Sequence, residues 1–259
     1  MLMTKEYILD CLNKYCTFNG ALSSDSFYEL VVCPLEAEKC FTNWTWDNGV
    51  TKGVLIFKDL SFVIKIPFNG GSGYGYSCYE TAEGGRYCWE DAHTTNGSTR
   101  EGFRYIEGEE RFEDFCNADD GDENWDYCAA EARRYQAAEC EGLDFAFAKT
   151  EWIGDVQNHP IYAQARCNMY EMEHNSTNKE KYEQRTKKDY EQLKAIRKEV
   201  DFYSIADDWV LDFFIFFGKE TLKKLADFCW DHNITDLHNG NIGYREGVPC
   251  LVDYSSFDE

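Results

Sequence analysis

Three short blocks rich in β-branched and aromatic residues lie close together early in the chain, at 41–47, 54–58 and 62–68. Each suits a strand, and Asp59-Leu60-Ser61 suits a tight turn between the last two. The first 40 residues read as mostly helical, then loop-like. Residues 126–142 are rich in Ala and long unbranched side chains and predict a strong helix, stopped by Gly142. Two apolar runs, at 145–153 and 160–167, predict two more strands. A charged helix with opposite charges at i,i+4 follows at 179–200, then apolar and amphipathic helices at 209–217 and 219–230. The tail, 234–259, reads as loop and short strands. The order is helix, three strands, a helix, two strands, more helices and a loop-rich end, which makes an α+β fold in two lobes.

The stretch between the third strand and the helix differs in character. Nine of the 19 glycines fall within 69–108, among several tyrosines, so about 69–122 is expected to be an irregular or hairpin-like insertion. Residues 107–126 carry ten acids against one Arg and read as a solvated, partly mobile loop, with attraction of a basic partner as the weaker reading.

Charge then narrows the function classes. The chain has 259 residues, 26 Lys plus Arg and 48 Asp plus Glu, for a net charge of −22. Such a field repels phosphate backbones and anionic lipid heads, so neither nucleic acid nor a membrane surface is an expected partner. The most apolar stretch, 209–217, is nine residues interrupted by Asp212, against the roughly 20 that a spanning helix needs. Charges at Lys5, Glu6 and Asp10 and the lack of an apolar run near the N-terminus give no export signal, so a cytoplasmic protein with reduced thiols is expected. The 12 cysteines form no CxxC pair and lie apart from the histidines, which argues against a zinc site.

The candidate chemistry lies in the tail, which reads Thr235-Asp236-Leu237-His238-Asn239-Gly240-Asn241 and, further on, Leu251-Val252-Asp253-Tyr254. This pattern resembles the catalytic and metal-binding loops of the protein-kinase-like superfamily. The form with His two positions after Asp looks most like the aminoglycoside phosphotransferase branch. The resemblance implies a bilobal kinase-like fold: a five-stranded antiparallel sheet with one helix in a nucleotide-binding part, 1–167, and a reduced, mostly helical second part, 168–259. It implies an ATP- and magnesium-dependent phosphotransferase. Asp236 would take the acceptor proton, and Asn241 and Asp253 would hold the metal. The acceptor would be a protein Ser/Thr, through autophosphorylation or otherwise, or a small hydroxyl-bearing molecule.

Other residues extend the resemblance. Val63-Ile64-Lys65-Ile66 is similar to the kinase strand whose lysine grips phosphates, so Lys65 takes that role. Gly49 and Gly53 sit where a glycine-rich hairpin would cover the phosphates, although two glycines four apart depart from the usual pattern. Glu131, on the predicted helix, is the implied partner of Lys65, with Glu139 and Glu141 as lesser candidates. Backbone groups of Gln164, Ala165 and Arg166 would read the adenine edge. Ile234 and Thr235 replace the usual His and Arg, and Tyr254-Ser255 replaces Phe-Gly. Only six residues follow Asp253, so the acceptor surface is expected from 69–122 or 168–200. The alternative expectation is a catalytically weak or inactive kinase-like binding or inhibitor protein acting through protein–protein contacts.

Overall fold

The computed structural model describes residues 3–18, 22–49, 51–68, 126–169, 191–192, 194–196, 198, 200, 209–234 and 236–255, and the backbone of 77–80, 86–89, 101–106 and 111–116. The chain is α+β. Its main sheet has five antiparallel strands, β1 (Trp44–Asn48), β2 (Lys52–Phe57), β3 (Phe62–Pro67), β8 (Thr150–Val156) and β9 (His159–Ala165), in the order β1-β2-β3-β9-β8. Between β3 and α4 (Tyr127–Glu141) a second antiparallel sheet is laid down in chain order, β4 (Ser77–Glu80), β5 (Arg86–Trp89), β6 (Glu101–Ile106) and β7 (Arg111–Cys116). The insertion is therefore a meander, of which β7 occupies part of the acidic stretch read as a loop. Asp126, at the end of that stretch, is a buried cap of α4, its Oδ1 accepting from the N–H groups of Cys128 and Ala129. Most of the charged helix expected at 179–200 lies outside the described residues.

Contacts divide the chain into two compact units. One is Met1–Ala129 with Trp152–Ala163, and the other is Ala130–Glu151 with Gln164–Glu259. The division runs through α4, β8 and β9. No helix among the described residues is long and apolar enough to cross a membrane.

The first unit begins with α1 (Lys5–Tyr15), α2 (Ser24–Phe27), a π-helical turn (Tyr28–Val32) and α3 (Cys33–Ala37). Pro34 explains the π turn. It has no N–H for the carbonyl of Leu30, which instead accepts from the N–H of Thr17 at 3.2 Å, while Cys33 N–H bonds back to Tyr28. The core beneath is aromatic: Phe41 and Phe57 meet edge to face at 5.1 Å, and Phe27 lies 5.6 Å from Phe68.

Gly53 in β2 is fixed by that core. A Cβ there would come within 2.2 Å of the Phe27 ring, which is fully buried, whereas a Cβ on Gly49 would meet nothing within 4 Å. Gly53→Ala is therefore expected to cost about 2–3 kcal/mol through overpacking, and Gly49→Ala well under 1 kcal/mol. Paired urea denaturation curves check the contrast.

His159 is a buried titratable group of this unit. Its Nε2 lies 2.7 Å from the Pro67 carbonyl and its ring 5.0 Å from that of Phe18. Burial pushes its pKa below the ordinary histidine value, against the opposing pull of the Pro67 carbonyl. The folded state thus favours the neutral ring. Its stabilising contribution is complete above the unfolded value of about 6.5 and declines as pH falls from there toward the lower folded value. His159→Gln should flatten this part of the stability–pH curve, measured by urea midpoints between pH 7.5 and 5. An unchanged slope would refute the assignment.

The second unit packs α5 (Trp209–Phe217) and α6 (Lys219–Asp231) around Phe147, whose ring lies 5.4 Å from Phe228 and 5.1 Å from Tyr254. The apolar run at 145–153, read as one strand, starts differently. Asp144–Ala146 forms a 3-10 turn, Phe147 makes a lone parallel bridge to Leu251, and β8 begins only at Thr150.

Candidate functional site

The tail motif is held by a sequence of local devices in the second unit. In α6, Leu222, Leu225, Ala226 and Cys229 recur at helical spacing and are buried. The helix ends with Asn233 in the left-handed region at φ 51°. The N–H of Asn233 bonds to Trp230 at 3.2 Å and that of Ile234 to Cys229 at 2.7 Å. This closure returns the chain toward the core, where Ile234 and Leu237 are fully buried. Asp236 sits between these anchors, with 34 % of its side chain exposed.

A 3-10 turn, Asn239–Asn241, follows. The Asn241 N–H bonds to the His238 carbonyl at 2.9 Å, and that of Gly240 donates to His238 Nδ1 at 3.0 Å. With Nδ1 accepting, the ring proton is assigned to Nε2, which lies 3.6 Å from Asp236 Oδ1. His238 thus braces the turn and faces the acid. A Cβ on Gly240 would meet His238 Cε1 at 2.7 Å, so the ring needs a glycine there.

Asn241 is the hub. Its Nδ2 donates to the Asp236 carbonyl at 2.7 Å and to Oδ2 at 3.1 Å, while its own carbonyl accepts from Val252 N–H at 2.8 Å. The chain returns because β11 (Ile242–Arg245) and β12 (Val248–Leu251) form a hairpin pairing Ile242 with Leu251. Its turn residues, Glu246 and Gly247, both have positive φ, the geometry of a two-residue hairpin loop. Asp253 follows directly, its Oδ1 accepting from Ser255 Oγ at 3.0 Å.

A buried polar network stands behind this loop. Glu131 is fully buried, and its Oε2 accepts from Thr150 Oγ1 at 3.2 Å and from Gln164 Nε2 at 3.1 Å. Gln164 Nε2 also lies 2.6 Å from the Val252 carbonyl. Tyr254 donates its hydroxyl to the Ala148 carbonyl at 2.7 Å and lies 3.1 Å from Thr150 Oγ1. Burial first, and the Glu131 charge next, push its phenol pKa well above the ordinary value. Arg134, one turn after Glu131, spreads its guanidinium over four carbonyls. Nε donates to His232 at 2.9 Å, Nη2 to Asn233 at 3.4 Å, and Nη1 to Tyr254 at 3.1 Å and to Ser255. The segments leading into Asp236 and out of Asp253 are therefore clamped by one cation.

The second unit thus brings Glu131, Gln164, Asp236, Asn241 and the Asp253 segment into one hydrogen-bonded assembly. Gln164 is 1 % exposed, its side-chain amide turned into the Glu131 network, with Oε1 buried and unpartnered. The Ala165 N–H donates to the Lys149 carbonyl at 2.8 Å, so it is already engaged in the sheet. Arg166 is half-buried. Lys65, Gly49 and Gly53 belong to the first unit. There Lys65 is buried on β3, opposite Val54, and the Gly49 N–H closes the β1–β2 loop onto the Lys52 carbonyl at 3.0 Å. Gly53 is a packing glycine against Phe27. Glu139 and Glu141 are exposed near the end of α4.

Arg134 and Thr150 were not singled out from the sequence. Arg134 had a signal: on α4 it shares with Tyr127, Ala130, Glu131, Tyr135 and Ala138 the i, i+3, i+4 stripe, and all six are buried. Two charges on a buried stripe imply partners. Among the described residues no group of three or more His, Cys, Asp and Glu side chains could hold a metal ion. An amide oxygen with one carboxylate still suits a hard cation that takes its remaining ligands from phosphate and water, as magnesium does. No protein-family model, no curated protein and no solved structure matches the chain.

Proposed function

We propose that this chain is an ATP- and magnesium-dependent phosphotransferase of protein-kinase-like bilobal fold, acting on a protein Ser/Thr hydroxyl. The observation that carries the reading is the Asn241 hub, whose side chain holds Asp236 and whose carbonyl holds Val252 beside Asp253. The five-stranded sheet, with α4 inserted after its third strand, is the arrangement the resemblance implies.

In this reading Asp236 receives the proton of the acceptor hydroxyl, held by Asn241 and faced by His238. Asp253 and the Asn241 amide oxygen would hold magnesium, and Lys65 would bind phosphate oxygens. Bound magnesium supplies charge neutralisation as the phosphoryl group transfers. Gln164 and Thr150 fix the Glu131 carboxylate, and Arg134 fixes the backbone on both sides of the site.

Thermal melts of wild type, Lys65→Ala and Asp253→Ala with magnesium and ATP test this. At a hundredfold excess over the dissociation constant, wild type should gain about 2.7 kcal/mol, a rise of roughly 5–10 °C, and both variants should lose that gain. No shift with any nucleotide would sink the reading.

A second reading, a kinase-like binding or inhibitor protein working through protein–protein contacts, draws on a different feature. Ile215 and Phe216 of α5 and Trp230 of α6 are 64, 53 and 45 % exposed. Nucleotide stabilisation without phosphoryl transfer, and with a co-purifying partner, would favour it.

A further inference from the structure

We infer that Cys167 and Cys250 are a dithiol built to close into a disulfide under peroxide, a covalent modification site separate from the phosphotransferase chemistry. The nine described cysteines are reduced. The Sγ atoms of Cys167 and Cys250 lie 3.2 Å apart, so bond formation needs an approach of about 1.2 Å.

The placement follows from the sheet beneath them. A three-stranded sheet runs β10 (Asn168–Met169), β11, β12, and its middle strand pairs Gly243 with Met169 on one side and with Cys250 on the other. Cys167 directly precedes β10. A Cβ on Gly243 would stand 2.7 Å from Cys167 Cβ, 2.9 Å from Val252 Cγ2 and 3.2 Å from the Asn168 carbonyl oxygen. Only a residue without a side chain in the middle strand lets Cys167 lean across toward Cys250. No part of the Asp236–Asn241–Asp253 arrangement uses either sulfur.

Exposure sets the order of events. Cys167 is half-buried and reachable, whereas Cys250 is fully buried. The Cys167 thiolate attacks one peroxide oxygen, so an S–O bond forms, the O–O bond breaks and the departing hydroxide takes a proton to become water. The product is a sulfenic acid on Cys167. Cys250 sulfur then attacks Cys167 sulfur. The S–S bond forms, the S–O bond breaks and the leaving hydroxide takes the Cys250 proton. Two thiols and one hydrogen peroxide thus give one disulfide and two waters. A thiol reductant reverses the link by exchange. Closure ties the segment just beyond β9 to β12, three residues ahead of Asp253.

The test treats the intact protein with hydrogen peroxide, blocks remaining thiols and digests with trypsin without reduction. Cleavage after Arg166 and Arg245 puts Cys167 and Cys250 on separate peptides with one cysteine each. The expected product is these two peptides joined, 2 Da lighter than their sum and separated again by dithiothreitol. In Cys250→Ser, dimedone should label Cys167. In Cys167→Ser, Cys250 should stay reduced at peroxide doses that fully close the wild type. Gly243→Ala should slow closure at least tenfold. Alkylation of both Cys167 and Cys250 after other thiols have been oxidised overturns the inference. So does preferential linking among Cys11, Cys16 and Cys40, which neighbour one another. Neither outcome depends on nucleotide binding.

Discussion

Arg134→Met is expected to lower the stability of the second unit by about 4 kcal/mol and its melting temperature by roughly 10 °C. The side chain is 5 % exposed, and its donors serve the carbonyls of His232, Asn233, Tyr254 and Ser255. Methionine matches the length of the aliphatic stem and keeps the packing, so the loss reports the polar clamp. Those carbonyls lie on two segments far apart in sequence. Arg134→Lys should recover less than half of the loss, because one ammonium cannot span the fork that a guanidinium covers. Chemical denaturation followed by tryptophan fluorescence gives the values, and a loss under 1 kcal/mol for Arg134→Met would remove the clamp from the account of stability.

The second large effect concerns chemistry. If Asp236 receives the acceptor proton, Asp236→Asn should cut transfer of label from γ-labelled ATP by about 10³-fold. Asparagine keeps an oxygen for the Asn241 amide and so preserves the turn. The nucleotide-induced rise in melting temperature should therefore survive in this variant, unlike in Asp253→Ala. Transfer at the wild-type rate would take the proton-accepting role away from Asp236 while leaving nucleotide binding intact.

The parts of the site that could be read from the sequence are those whose residues lie close along the chain. Asp236, His238 and Asn241 fall within six positions, and Val252-Asp253 returns through a hairpin whose Glu246-Gly247 turn is itself a local signal. The strands β1, β2 and β3 and the helix α4 were legible for a similar reason: side-chain periodicity and a Gly142 stop are local properties. The start of β8 was not. The continuous apolar run from Phe145 to Ala148 fits a strand equally well, but Phe147 is claimed by Phe228 and Tyr254, which lie about 80 and 107 positions later. The meander of β4 to β7 was obscured by glycine and acidic composition, which report solvation rather than pairing. Arg134 and the side-chain bonds of Gln164 could not be read because their partners, at 232–233, 254–255 and 252, are fixed only by tertiary folding. Gly53 carries a constraint its sequence position did not show: the Phe27 ring against it already accounts for the missing side chain.

The β11–β12 hairpin makes the two ends of the candidate site mechanically inseparable. Asn241 and Val252 sit at the open end of a ribbon only a few residues long, joined to each other by a backbone bond. A displacement of Asp253 along or about that ribbon must carry Asn241 with it, and through it Asp236. Opening of this region should therefore be a single concerted event. In hydrogen–deuterium exchange the amides of Val252 and Asn241 should be released together, at one free energy, rather than fraying in turn.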